Sequence, residues 1–193
     1  MEEIVKHKIR KTTTLVAKVF GKSQSIDHVP AIKYGRANEN TARTLFLALE
    51  SQKHTNLKVE QCGLFVKSDR PYIAGNPDGT VSYNCCPTAV LEIKYPFTLL
   101  DKSVKDGWKH LDYLNMNDKQ ILELNQKHPY YIQLQRQMAV TGQKMEHFFV
   151  WSLKGSLQIK VITKLPNSEQ SYKGKAKTHN YINTQNQSTT GKL

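Results

Sequence analysis

Apolar positions recur along this chain with two different periods. In residues 37–51, Ala42, Leu45, Phe46 and Leu49 follow the i, i+3, i+4, i+7 spacing of an amphipathic helix. A shorter helix is expected over 12–20, with Leu15, Val16, Val19 and Phe20 on one side. Residues 57–82 read as strands broken by a tight turn at Asn76-Pro77-Asp78-Gly79. In 89–95 the alternation sends Val90, Glu92 and Lys94 to one face and Leu91, Ile93 and Tyr95 to the other, and Pro96 ends the strand. Residues 101–127 are mixed and polar and read as loop with short elements. Pro129 opens a helix after His128, and Gly142 stands past its end. Strands are expected at 146–152 and 157–163, joined at Lys154-Gly155. No internal repeat is visible. The order helix, helix, strands, helix, strands predicts an α/β domain with a central mixed β-sheet flanked by helices, over residues 1–165. Residues 166–193 are polar and basic without periodicity, and are expected to form a disordered tail.

Composition narrows the class of partner. The 193 residues suit one domain, and the formal charge is +12. The tail carries only +3 of that, four lysines against Glu169, so the globular part is basic by itself. A basic domain favours polyanions, because each neutralised phosphate releases counterions; simple solubility is the bland alternative. The three cysteines, Cys62, Cys85 and Cys86, give no disulfide framework and lack the CxxC spacing of zinc sites, so no zinc is expected. The chain has no long apolar run and no apolar N-terminal signal region. These features predict a soluble intracellular protein of a reducing compartment, with no membrane partner.

The candidate chemistry lies around the 76–79 turn. Asp78 sits between two strands, and Glu92 and Lys94 share one face near the C-terminal end of the next, so two carboxylates and an ammonium are expected to converge. Adjacent carboxylates disfavour each other's charge, and a hard divalent cation removes the conflict. Lys94 could then hold or help deprotonate the attacking water, or pair with the scissile phosphate. The carbonyl of Ile93 lies between the two side chains as a further ligand. Glu39, beside the apolar stripe of its helix, offers another inward carboxylate; an exposed glutamate favoured by the helix dipole is the alternative. Gln133 and Gln137 are one turn apart and share a face, and Tyr130, Tyr131 and Arg136 add stacking and phosphate chemistry to the same helix. The bland readings are an exposed strand face and a polar helix face.

Several runs resemble one family in order. AIKYGRANENTARTLF (31–46) resembles the glutamate-bearing helix of the lambda exonuclease, or YqaJ viral recombinase, family. GLFVKSDRPYIAGNPDGTV (63–81) looks like its strand–strand–PDG segment, and AVLEIKYPFT (89–98) like its ExK strand. PYYIQLQRQMAVTG (129–142) resembles its glutamine helix, and FFVWS (148–152) the strand after it. The resemblance spans about residues 10–163. It implies a PD-(D/E)xK nuclease (restriction-endonuclease-like) fold and Mg²⁺-dependent digestion of linear duplex DNA from its ends, 5′→3′, in recombination or repair, with Mn²⁺ as a substitute ion. Carried over, Asp78 and Glu92 become metal ligands with the Ile93 carbonyl, Lys94 the catalytic lysine, Glu39 the helix carboxylate that holds a metal or its waters, and Gln133 the positioning glutamine.

Arg10, Thr14, Arg36, Asn76 and Arg136 are the expected DNA contacts. Arg43, one turn beyond Glu39, is a further cleft candidate or a partner for Glu39. Arg10-Lys11-Thr12-Thr13-Thr14 stands where the family has an arginine and a Thr-Ala-Ser turn, Asn76 replaces its serine before PDG, and the polar tail replaces its closing helix. A single-strand annealing protein and a homo-oligomer, such as a trimeric ring, are open as partners, and a eukaryotic source would place the protein in the nucleus. The competing readings are a catalytically weak or inactive DNA-binding remnant and, ranked lowest, a sequence-specific endonuclease on the same fold.

Overall fold

The computed structural model describes residues 28–164 and the backbone of 179–183. The expected helix at 12–20, the candidates Arg10 and Thr14, and the rest of the tail lie outside the described residues. The chain divides into two units, 1–33 and 34–193; of the first, only the residues that begin the first helix are described.

That helix, α1 (Pro30–Ser51), starts seven residues earlier than periodicity predicts. Pro30 suits a first helical position, where its missing N–H costs nothing. The stretch Tyr34-Gly35-Arg36 interrupts the apolar pattern without breaking the helix. Ala42, Phe46 and Leu49 are buried, as the spacing requires.

Strands β1 (Lys58–Glu60), β2 (Phe65–Val66), β3 (Ala74–Gly75) and β4 (Gly79–Ser82) follow, then β5 (Ala89–Lys94). Residues 101–127 hold a one-turn α2 (Val104–Gly107), a 3₁₀ turn and the hairpin β6 (Leu114–Met116) and β7 (Leu122–Leu124). The helix α3 (Pro129–Thr141) has Pro129 in its first turn and a His128 cap that accepts from the Tyr130 N–H. It stops at Gly142, whose φ of 73° lies in the left-handed region that favours glycine. The strands β8 (Met145–Ser152) and β9 (Gly155–Ile162) form the final long hairpin. Within the expected tail, His179–Asn183 forms β10, antiparallel to β9, so part of that stretch is an edge strand. Its composition carries no alternation that would announce a strand; the pairing comes from β9.

The main sheet runs β1-β4-β5-β8-β9-β10, antiparallel throughout except for the parallel pair β5–β8. It is therefore a mixed sheet, with a core on each face. Val90, Phe148, Val150 and Ile159 pack with Leu134 and Met138 of α3. Leu91, Ile93, Phe149 and Trp151 pack with Ala42, Phe46 and Leu49 of α1. The alternation read in 89–95 thus separates the two cores. On the α1 side His147 is fully buried; Gln158 Nε2 donates to its Nδ1 at 2.5 Å, and its Nε2 meets the Tyr83 hydroxyl. Among the described residues no helix is long and apolar enough to cross a membrane.

Candidate active site

The site grows from the Asn76-Pro77-Asp78-Gly79 turn. Gly79 begins β4 against β1, and a Cβ there would meet the Glu60 carbonyl oxygen at 2.9 Å. Glycine lets the two strands close on the turn. The Asp78 N–H donates to the Leu91 carbonyl at 2.9 Å, and the Ile93 N–H donates to Asp78 Oδ2 at 2.7 Å. The turn is thereby clamped to the strand that carries the second carboxylate.

Glu92 is buried and fully engaged. Its Oε1 accepts from Lys94 Nζ at 2.5 Å and from Gln133 Nε2 at 2.7 Å, and its Oε2 accepts from Gln137 Nε2 at 2.8 Å. Gln137 also donates to the Asn76 carbonyl at 3.3 Å, so one buried amide ties α3 to both the turn and Glu92. Lys94 Nζ lies 4.4 Å from the centre of the Tyr130 ring. Ionic hydrogen bonds to a buried carboxylate are stronger than neutral ones, and they offset the cost of keeping its charge out of water.

The electrostatics set the protonation states. Burial, and then the charge of Glu92, push the Asp78 carboxyl up to about 6; the Ile93 N–H and Lys94 oppose the shift and Glu39 adds to it. Burial alone would lower Lys94, but the Glu92 carboxylate overrides it and leaves the amine above its ordinary value. Lys94 is therefore an ammonium at neutral pH.

Most of the residues singled out in the sequence gather here: Asp78, Glu92, Lys94, Gln133 and the backbone of Ile93 and Asn76. The Ile93 side chain belongs to the α1 core, and its N–H is the group that bonds Asp78. Glu39 is joined through Arg43, whose Nη2 donates to Glu39 Oε1 at 2.6 Å and to the Asp78 carbonyl at 3.0 Å. Arg36 and Arg136 are exposed on α1 and α3.

Gln137, which the sequence places on one face with Gln133, holds Glu92 as closely as Gln133 does. One contribution escaped the sequence reading. Glu146, opposite Val90 on β8, is fully buried, and neither of its carboxylate oxygens has a hydrogen-bond partner. Burial, then the charges of Glu92 and Asp78, push its carboxyl well up beside the site. The alternation of 146–152 already carried the signal, because it places Glu146 on the same face as the core residues Phe148 and Val150.

The fold is shared with the crystal structure of an alkaline exonuclease, LHK-Exo, from Laribacter hongkongensis. The likeness covers 80% of this chain and 69% of that one, at 21% identity and a TM-score of 0.56. The structure of LHK-Exo in complex with dAMP matches with the same values. This is the PD-(D/E)xK architecture, a central mixed sheet with helices against it. No curated protein matches the chain. Residues 2–144, most of the chain, match the YqaJ-like viral recombinase domain, a span that holds the glutamate helix, the PDG turn, the ExK strand and most of the glutamine helix, and the protein belongs to that family.

Proposed function

We propose that this protein is a divalent-metal-dependent deoxyribonuclease that degrades linear duplex DNA from an end, 5′→3′, in recombination or repair. The observation that carries the reading is the Asp78–Glu92–Lys94 cluster held from α3 by Gln133 and Gln137. Family membership and the alkaline exonuclease fold support it.

The donor set fits a hard cation. Asp78 and Glu92 are oxygen donors in a buried setting where each carboxylate works against the other's charge, a conflict that a divalent cation relieves. Asp78 and Glu92 would hold it with the Ile93 carbonyl, and Glu39 would hold the cation or its waters. Magnesium fits oxygen-only donors best, and manganese can replace it. When bound, the cation supplies charge neutralisation at the scissile phosphate.

The chain's own residues do the rest. Lys94, kept protonated by Glu92, is a hydrogen-bond donor to the phosphate or to the attacking water rather than a base. Gln133 and Gln137 fix the Glu92 carboxylate so that it cannot swing with its neighbour. Arg43 holds Glu39 to the Asp78 backbone. Arg36, Asn76 and Arg136 are proposed as DNA contacts, and Arg10 and Thr14 as contacts to the DNA end. The same reading includes assembly into a homo-oligomer and a single-strand annealing protein as partner.

The test is nucleotide release from linear and covalently closed circular duplex, with and without Mg²⁺. Release from the linear substrate only, and only with metal, is expected. End labels on each strand read the polarity. A protein that binds duplex DNA but releases nothing with Mg²⁺ or Mn²⁺ would instead be the binding remnant.

A further inference from the structure

A second cluster of metal-ligating side chains lies at the opposite end of β4 from Asp78. After α1 the chain turns through Asn56, whose φ is 52°, toward β1, and His54 lies in this turn. Cys85 and Cys86 lie in the connection from β4 to β5. The Asn84 N–H donates to the Thr55 carbonyl at 3.1 Å and holds the two turns together.

His54 Nδ1 is 3.3 Å from Cys85 Sγ and 3.6 Å from Cys86 Sγ, and the two sulfurs are 3.3 Å apart. Zinc bonds of about 2.3 Å to sulfur and about 2.0–2.1 Å to nitrogen, at tetrahedral angles, separate ligand atoms by roughly 3.5–3.8 Å. The three atoms already approximate one face of such a tetrahedron.

The other side of the imidazole carries an independent observation. His54 Nε2 lies 3.5 Å from Glu50 Oε2. Glu50 is fully buried; its Oε1 accepts from Lys53 at 2.7 Å, while Oε2 has no hydrogen-bond partner. Metal-ligating histidines usually give their second ring N–H to a carboxylate, which fixes the tautomer and aims the other nitrogen at the metal. Glu50 stands where that carboxylate should be. Spacing along the chain conceals the set, because His54 precedes Cys85 by 31 residues.

We propose that His54, Cys85 and Cys86 bind a zinc ion, with Glu50 orienting the imidazole and a water completing the tetrahedron on the exposed Cys85 side. Thiolate and imidazole donors select zinc over magnesium, so this site and the oxygen site at Asp78 take different ions. Binding releases the two thiol protons to solvent. The ion braces the end of α1 against the β4–β5 connection.

The test uses the full chain, reduced and stripped of metal, titrated with Co²⁺ and then Zn²⁺. One equivalent of cobalt is expected to give tetrahedral visible bands and a near-ultraviolet thiolate charge-transfer band, both abolished by zinc. Cys85→Ser and Cys86→Ser should each weaken the charge-transfer band, His54→Ala should lose the tetrahedral spectrum, and Glu50→Gln should weaken affinity about 10–100-fold. Asp78→Asn should leave the spectrum unchanged, which separates this site from the nuclease reading. The cysteines are exposed or half-buried, so the serine variants should fold; circular dichroism checks this. Reduced wild-type protein that shows no charge-transfer band, or a band that survives in both serine variants, would overturn the proposal. So would an adjacent Cys85–Cys86 disulfide in the isolated protein with no zinc uptake after reduction.

Discussion

Gln137, a buried residue of α3, donates to Glu92 Oε2 at 2.8 Å. The same amide nitrogen reaches the Asn76 carbonyl, so a single side chain sets the separation of the PDG turn and the strand carboxylate. Gln137→Ala leaves both acceptors without their donor and opens a gap. We expect a loss of about 1–3 kcal/mol in urea unfolding, with a drop in nucleotide release larger than that of Gln133→Ala. A Gln137→Ala protein that cleaves at the wild-type rate would show that Glu92 needs no such tether.

Lys94→Ala separates chemistry from affinity. Lys94 is one positive charge among many on a basic chain, so its loss removes little of the counterion-release term. Its position beside Glu92 gives it a role at a single phosphate, and removing a comparable stabilising group costs about 10²–10³ in rate. Anisotropy with a labelled duplex should change little while cleavage collapses. Asp78→Asn should also stop turnover, but through lost metal affinity, so raised Mg²⁺ or Mn²⁺ should restore part of it.

The arginines divide by how far they are buried. Arg36 and Arg136 are exposed, and replacing either with Ala should lower the slope of log affinity against log salt by about 1. Arg43 is committed to Glu39 and to the Asp78 carbonyl. Arg43→Ala should leave the salt slope close to wild type and reduce cleavage. Equal slopes for all three variants and the wild type would remove Arg36 and Arg136 from the DNA path.

Stability should fall on acidification through His147. Burial pushes this imidazole down to about 3; Glu50 opposes the shift, and Lys160, His54 and Lys53 add to it. Unfolded, the ring titrates near 6.5, so between those values the unfolded chain binds the extra proton. This contribution is intact above about 6.5 and is lost as the pH falls toward about 3, with a slope near 1.4 kcal/mol per pH unit. Melting temperatures from pH 7 to pH 5 should drop in the wild type and drop less in His147→Gln. Identical slopes in the two proteins would assign the acid sensitivity elsewhere.

Legibility in the sequence followed the range of the forces involved. Period-2 and period-3.6 patterns are local, and they located β5, β8, β9 and α3 within a residue or two. Proline and glycine punctuation marked both ends of α3 because the cap conformations are set within a few residues. The convergence of Asp78, Glu92 and Lys94 was also readable, since turn and strand adjoin in the chain. Contacts made at long separation were not. Glu146 joins the site only through the parallel register of β8 on β5, and the His54–Cys85–Cys86 set only through the docking of two turns. β10 depends on a partner strand rather than on its own composition.

The face separation of β5 makes the site a matter of parity. Glu92 and Lys94 sit at even steps from Val90 and meet α3, while Leu91 and Ile93 sit at odd steps and meet α1. One residue inserted between Val90 and Glu92 would turn the carboxylate toward Phe46 and Phe149, an apolar setting with no glutamine to receive it. The connection from β5 to α3 is free of this parity rule but not of packing, because Leu99, Val104, Leu111, Leu122 and Leu124 enter the same core as Leu134 and Met138. The count from Ala89 to Lys94 should therefore stay constant even where the letters change.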